Sequence, residues 1–210
     1  MIKAIIFDMD GTLLDSETLS SKARDYGFMT VLGRQTTDEE NAGLVGMPVK
    51  KVLSQWFPET GDKIYDNARN YFKSEISTVK AYTGIRELIA RLRNAYRLAV
   101  MTSSHRADAE ELLSNSGLRP FFEFYISQED TSYQKPDPEP VLLALTRLGV
   151  LPGDAVFVGD QPYDVIAAHE AGVIAIGATW GYGDQSTLEM YHPEFLLKDP
   201  DELPGILQGL

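Results

Sequence analysis

The chain has 210 residues, 43% hydrophobic and 24% charged, with no cysteine and a formal net charge of −12. This is apolar enough for one ordinary domain, or a domain with a substantial insertion, to bury a core unaided; disulfides, thiolate metal sites and a cysteine nucleophile are excluded. The acidic balance argues against a nucleic-acid partner, which needs a basic footprint, but says little about small anions, because carboxylates gathered around a divalent cation can still bind one.

In chain order, the first apolar run, Ala4–Phe7, reads as a strand and leads into Asp8 and Asp10. It is too short for a signal-peptide core, and no later run approaches the roughly 20 apolar residues of a membrane helix. The expectation is a soluble cytoplasmic protein with no membrane partner. From Asp15 to about Lys80 the pattern turns helical (Thr18–Leu32, Thr37–Gly43, Lys50–Phe57, Lys63–Ser77), punctuated by Gly33, Gly46-Met47-Pro48 and Pro58–Gly61. A helical insert, 15–80, between the first strand and the rest of the core, 1–14 with 81–210, is the simplest reading.

Beyond about Ala95, strands and helices alternate. Leu98–Met101 is a strand, followed by a helix over Arg106–Ser116 that stops at Gly117. Phe124–Ile126 is a weaker strand. The next helix, Pro138–Leu148, has proline just inside its start and Gly149 just past its end. Ala155–Val158 and Val173–Ile176 are strands flanking a helix over Tyr163–Ala171, and the tail from Pro193 holds a short strand and a closing helix. Apolar runs without alternation suit strands covered on both faces. The expected fold is α/β, a doubly wound parallel sheet with a Rossmann-like core and a helical insertion after the first strand.

In such sheets ligands bind beyond the carboxyl ends of the strands, and here those ends carry Asp8-Met9-Asp10-Gly11-Thr12, Thr102-Ser103-Ser104, Lys135-Pro136 and Gly159-Asp160 with Asp164. Each segment alone also has a purely structural reading. Asp10–Thr12 suits a strand-to-helix turn, Thr102 or Ser103 a helix N-cap, Lys135-Pro136 an exposed loop, and Asp164 a carboxylate favoured near a helix N-terminus. Acid, hydroxyl and ammonium at successive strand ends is a combination that independent turns do not require. Phosphoryl transfer does require it. A carboxylate can act as nucleophile, Mg²⁺ takes hard oxygen ligands that Asp8 and Asp160 can supply, and Asp10 can carry the proton. Thr102 and a neighbouring amide can hold phosphoryl oxygens, and Lys135 adds positive charge.

On these segments the sequence resembles the haloacid dehalogenase superfamily of phosphatases, over essentially the whole chain. Phe7–Ser16 is similar to the family's first motif, Leu98–Ser103 to its second, Lys135-Pro136 to its third and Gly159–Asp164 to its fourth. The resemblance implies Asp8 as nucleophile and metal ligand, and Asp10 as general acid/base lending its backbone carbonyl to the metal. It further implies Thr102 and the Ser103 amide as phosphoryl binders, Lys135 as charge balance, Asp160 as Mg²⁺ ligand, and Asp164 as a support for the metal's water shell or for Lys135. The insert resembles the family's small helical cap, with Gly46 in the loop Val45–Pro48 that reaches the substrate. The substrate class implied is a small phosphorylated metabolite, a phosphoglycolate-like monoester. A sugar-phosphate mutase is disfavoured because Met47-Pro48-Val49 lacks the basic residue mutases carry there; pyrophosphate hydrolysis is a further possibility. Ala178–Gly183 is similar to a loop of phosphoglycolate phosphatases, and also reads as a surface loop with Trp180 packed on the core. His105, His169 and His192 have no metal-ligand spacing and read as structural or surface residues.

Overall fold

The computed structural model describes residues 1–45 and 49–210. Six strands form one sheet: β1 (Ala4–Asp8), β2 (Arg97–Met101), β3 (Phe124–Ile126), β4 (Ala155–Gly159), β5 (Ile174–Ala178) and β6 (Phe195–Leu197). All five pairings are parallel, in the order β3-β2-β1-β4-β5-β6. Every residue of β1 and β4 is buried, as their unbroken apolar runs require. The fold is the expected parallel α/β sheet.

The chain divides into two compact units, Met1–Asp15 with Lys80–Leu210, and Ser16–Val79. The second contains helices α1 (Glu17–Leu32), α2 (Asp38–Ala42), α3 (Val49–Trp56) and α4 (Gly61–Glu75). Its core gathers Phe28, Leu44, Val52, Leu53 and Ile64, with α1 closed by Gly33 in the left-handed conformation. The first unit carries α5 (Ile85–Leu92), α6 (Arg106–Asn115), α7 (Glu139–Leu148), α8 (Pro162–Glu170), α9 (Gln185–Glu189) and α10 (Leu203–Gln208). Ile6, Ala99, Met101 and Phe157 of the sheet pack there with Val141, Ala144 and Leu148 of α7 and with Val165 and Ala168 of α8.

Several boundaries differ from those expected. α7 starts at Glu139, with Pro138 at its N-cap and Asp137 Oδ1 accepting the Glu139 amide at 2.9 Å. β5 begins at Ile174 because the Val173 amide closes the end of α8 onto the Ala168 carbonyl, at 2.9 Å, and is not available to the sheet. α5 and α9 lie in stretches where no helix was expected. For α5 the signal was present: Ile85, Leu88, Ile89 and Leu92 make an i, i+3, i+4, i+7 stripe, and all four are buried.

Candidate active site

Asp8 is the last residue of β1 and pairs with Met101, while Phe7 pairs with Val158. The segments that leave β2 and β4 therefore emerge on either side of Asp8, at the point where strand order reverses and a crevice opens.

The loops that follow β1, β3, β4 and β5 meet there. From the β3–α7 connection, Lys135 Nζ donates to Asp8 Oδ1 and to Asp164 Oδ1, each at 2.5 Å. Asp164 stands on the first turn of α8, where its other oxygen accepts the Gln161 amide at 2.9 Å in a capping box. Asp160 follows β4 and is fully buried. Its Oδ1 accepts the Thr12 hydroxyl at 3.1 Å, and its Oδ2 accepts the Gln161 side-chain amide and the Tyr182 backbone N–H, both at 3.0 Å. One oxygen from each of Asp8, Asp160 and Asp164 lies within 4.8 Å of the others.

Burial lifts the Asp8 carboxyl well above the usual range; Lys135 pulls it back, and the charges of Asp164, Asp160 and Asp10 push it up again. Burial also lifts Asp160 to about 6, with Asp164 adding to the rise. For Lys135 burial alone works against the ammonium, but Asp164 and Asp8 more than offset it and hold its pKa above the ordinary value. Three buried carboxylates facing one ammonium are short of positive charge. A compact set of hard oxygens of this kind fits a divalent cation such as Mg²⁺.

Asp10 sits where the chain doubles back through Gly11, whose φ of +90° and contact with the Asp160 carboxylate leave no room for a side chain. Asp10 Oδ2 accepts the hydroxyls of Thr102 and Ser104, both at 2.8 Å, and the Ser104 amide donates to Thr102 Oγ1 at 3.0 Å. Thr102 is thus not a helix N-cap; that position of α6 belongs to His105. Ser103 is exposed on the same loop, and Gly46 lies outside the described residues. Asp8, Asp10, Thr102, Lys135, Asp160 and Asp164 are brought together. His105 pairs with Glu129 at 2.8 Å and His169 with Glu194 at 3.3 Å, and His192 is exposed.

Ser104, Gln161 and Tyr182 were not anticipated as partners of the acids. Ser104 and Gln161 lie inside the segments already noted, and side-chain chemistry alone signals them. Tyr182 acts through its backbone, for which no residue-type signal exists.

The family described as haloacid dehalogenase-like hydrolase matches residues 5–178. Pyrophosphatase PpaX of Bacillus velezensis is 32% identical over 205 residues, spanning 96% of this chain and 94% of the relative. A haloacid dehalogenase-like hydrolase of Streptococcus pneumoniae has a similar structure, with a TM-score of 0.86 at 27% identity and 98% of each chain covered. A putative beta-phosphoglucomutase of Thermotoga maritima aligns over 100% of each chain, with a TM-score of 0.83 at 27% identity. This chain belongs to the haloacid dehalogenase-like hydrolase family and is an enzyme of it.

Proposed function

We propose that the chain is a cytoplasmic, Mg²⁺-dependent phosphatase that hydrolyses a small phosphomonoester through a phosphorylated Asp8. The observation that carries this reading is the buried Asp8–Asp160–Asp164 group with Lys135 as its counter-charge, beside an Asp10 held on two hydroxyls.

Asp8, Asp160 and the Asp10 backbone carbonyl would hold Mg²⁺. Asp164 is engaged through one oxygen by Lys135 and through the other by the Gln161 amide, which suits a supporting role. When bound, Mg²⁺ supplies charge neutralisation for the phosphoryl oxygens. A carboxylate oxygen of Asp8 attacks phosphorus, the ester P–O bond breaks, and Asp10 gives its proton to the departing oxygen. Asp10 then takes a proton from water, whose oxygen attacks the phosphoryl group; the bond to Asp8 breaks and inorganic phosphate leaves. Thr102, the Ser103 amide and Lys135 bind phosphoryl oxygens during both displacements. The unit Ser16–Val79 is assigned the role of a cap that selects the substrate.

Pyrophosphate is a second substrate reading, favoured by the relationship to PpaX. Phosphate is a good leaving group and asks less of Asp10 than an alkoxide does. A phosphate-release screen over phosphomonoesters, phosphoglycolate among them, and pyrophosphate, with Mg²⁺ and with EDTA, tests the proposal. Release from at least one compound that EDTA abolishes is expected. No release from any compound, or undiminished release in EDTA, would overturn it.

A further inference from the structure

The loop between β5 and α9, Trp180-Gly181-Tyr182-Gly183, makes more contact with the acidic site than a surface connection needs. The Trp180 indole N–H donates to the Thr12 carbonyl at 3.0 Å, and the Tyr182 amide donates to Asp160 Oδ2 at 3.0 Å. The Tyr182 hydroxyl donates to Asp15 Oδ1 at 2.7 Å, and its ring lies 6.5 Å from that of Tyr82. A Cβ on Gly181 would collide with the Gly11 carbonyl oxygen and stand 2.7 Å from Asp160 Oδ2; one on Gly183 would collide with the Asp160 carbonyl. Two of the loop's bonds therefore grip the segment that follows β1, and the third grips the acid that follows β4. Thr12, held at its carbonyl by Trp180, passes its own hydroxyl to the other oxygen of Asp160.

We propose that Trp180–Gly183 is a positioning element for the metal site, clamping the Asp160 carboxylate at a set distance from the Asp8–Thr12 segment. The inference rests on the reading of Asp160 as a Mg²⁺ ligand. Mg²⁺ accepts little departure from octahedral geometry, and neighbours that orient a ligand typically govern metal affinity by roughly ten- to a hundredfold. The two glycines are needed because the clamp works through backbone approach, with the amide of the residue between them as the donor. The ladder itself does not depend on the loop, since β5 pairs with β4 and β6 before it begins.

Mg²⁺ binding by calorimetry, alongside melting temperature, tests this on the intact chain. Wild type is expected to bind. Gly181→Ala is expected to bind roughly ten- to a hundredfold more weakly, and at saturating Mg²⁺ to recover most of its turnover. Trp180→Phe, which loses the bond to Thr12, is expected to weaken binding severalfold at an unchanged melting temperature. Wild-type affinity in Trp180→Phe overturns the proposal, whether or not Gly181→Ala folds. Absence of Mg²⁺ binding by wild type would instead remove the reading on which it rests.

Discussion

Each unit of the molecule buries charge, and the two do it differently. In the helical unit Arg24 of α1 is 5% exposed. It is paired with Glu17, and its Nε donates to Asn41 Oδ1 at 2.7 Å; Asn41 in turn donates to Ser21 at 2.9 Å. Here a cation meets an anion, and neutral side chains bond to the same network. In the sheet unit Asp8 and Asp164 share Lys135 beside the buried Asp160, and the balance is negative. A buried pair that is neutral and fully bonded can be retained for structure alone. A surplus of buried like charge is costly by itself and persists where a ligand or a reaction uses it. The difference sets the acids around Lys135 apart as the candidate site.

Substitutions can break this comparison. The largest effect is expected for Asp8→Asn, which should cut phosphate release more than about a thousandfold and leave the melting temperature of the metal-free protein equal to or above that of wild type. Substantial residual turnover would remove the nucleophile assignment. Asp10→Asn should cost about a hundred- to ten-thousandfold with an alkyl phosphate, and far less with 4-nitrophenyl phosphate, whose leaving group needs no proton. Equal losses in kcat/KM for the two esters would show that Asp10 does not protonate the leaving group.

Arg24→Ala tests the other region. Removing the guanidinium bonded to Glu17 and Asn41 should destabilise the fold by about 1 to 3 kcal/mol, read by urea denaturation, with the chemistry at Asp8 intact while the protein remains folded. A neutral outcome would mean that the helical unit does not depend on its buried pair.

The smallest expected effect concerns pH. The Asp8 and Asp160 pKa values are raised, Asp160 from 3.8 to about 6. Each contributes stability that is fully present below its ordinary value and lost as pH rises through its folded one. The metal-free protein should therefore lose part of its stability between about pH 4 and pH 6 from Asp160, and Asp8 acts in the same direction. Glu129, lowered from 4.5 to about 2 by its bonds to His105 and the Arg106 amide against the effect of burial, works oppositely; its contribution is present above the ordinary value and fades as pH falls toward 2. Mg²⁺ needs ionised carboxylates, so it should raise the melting temperature more at about pH 8 than at about pH 5. The gain corresponds to about 2 to 4 °C for each kcal/mol of binding. The same shift at both pH values would place the cation elsewhere.

Most of the sheet was legible because its information is local. Ala4–Phe7 and Ala155–Val158 are apolar without alternation, and a strand buried on both faces is what such a run can become. Helix ends at Gly33, Gly117 and Gly149 were legible for the same reason, each glycine adopting a positive φ. α5 carried a plain apolar stripe, whereas α9 spans five residues, too few for periodicity to develop. Lys135 was chosen for its charge and its place after a strand; that it would bridge Asp8 and Asp164 depended on how the β3–α7 loop returns.

The sequence by itself determined which segments become buried strands and that acids, hydroxyls and an ammonium stand at their carboxyl ends, because side-chain type and spacing encode burial and chemistry directly. Only the tertiary structure decided who shares whom. Asp10 is held by Thr102 and Ser104 from the neighbouring strand, and Asp160 is gripped from three sides by Thr12, Gln161 and the Tyr182 amide. Partners of that kind are set by strand order and by the paths of loops. A backbone N–H is common to every residue but proline, so its role emerges only when the chain has closed around it.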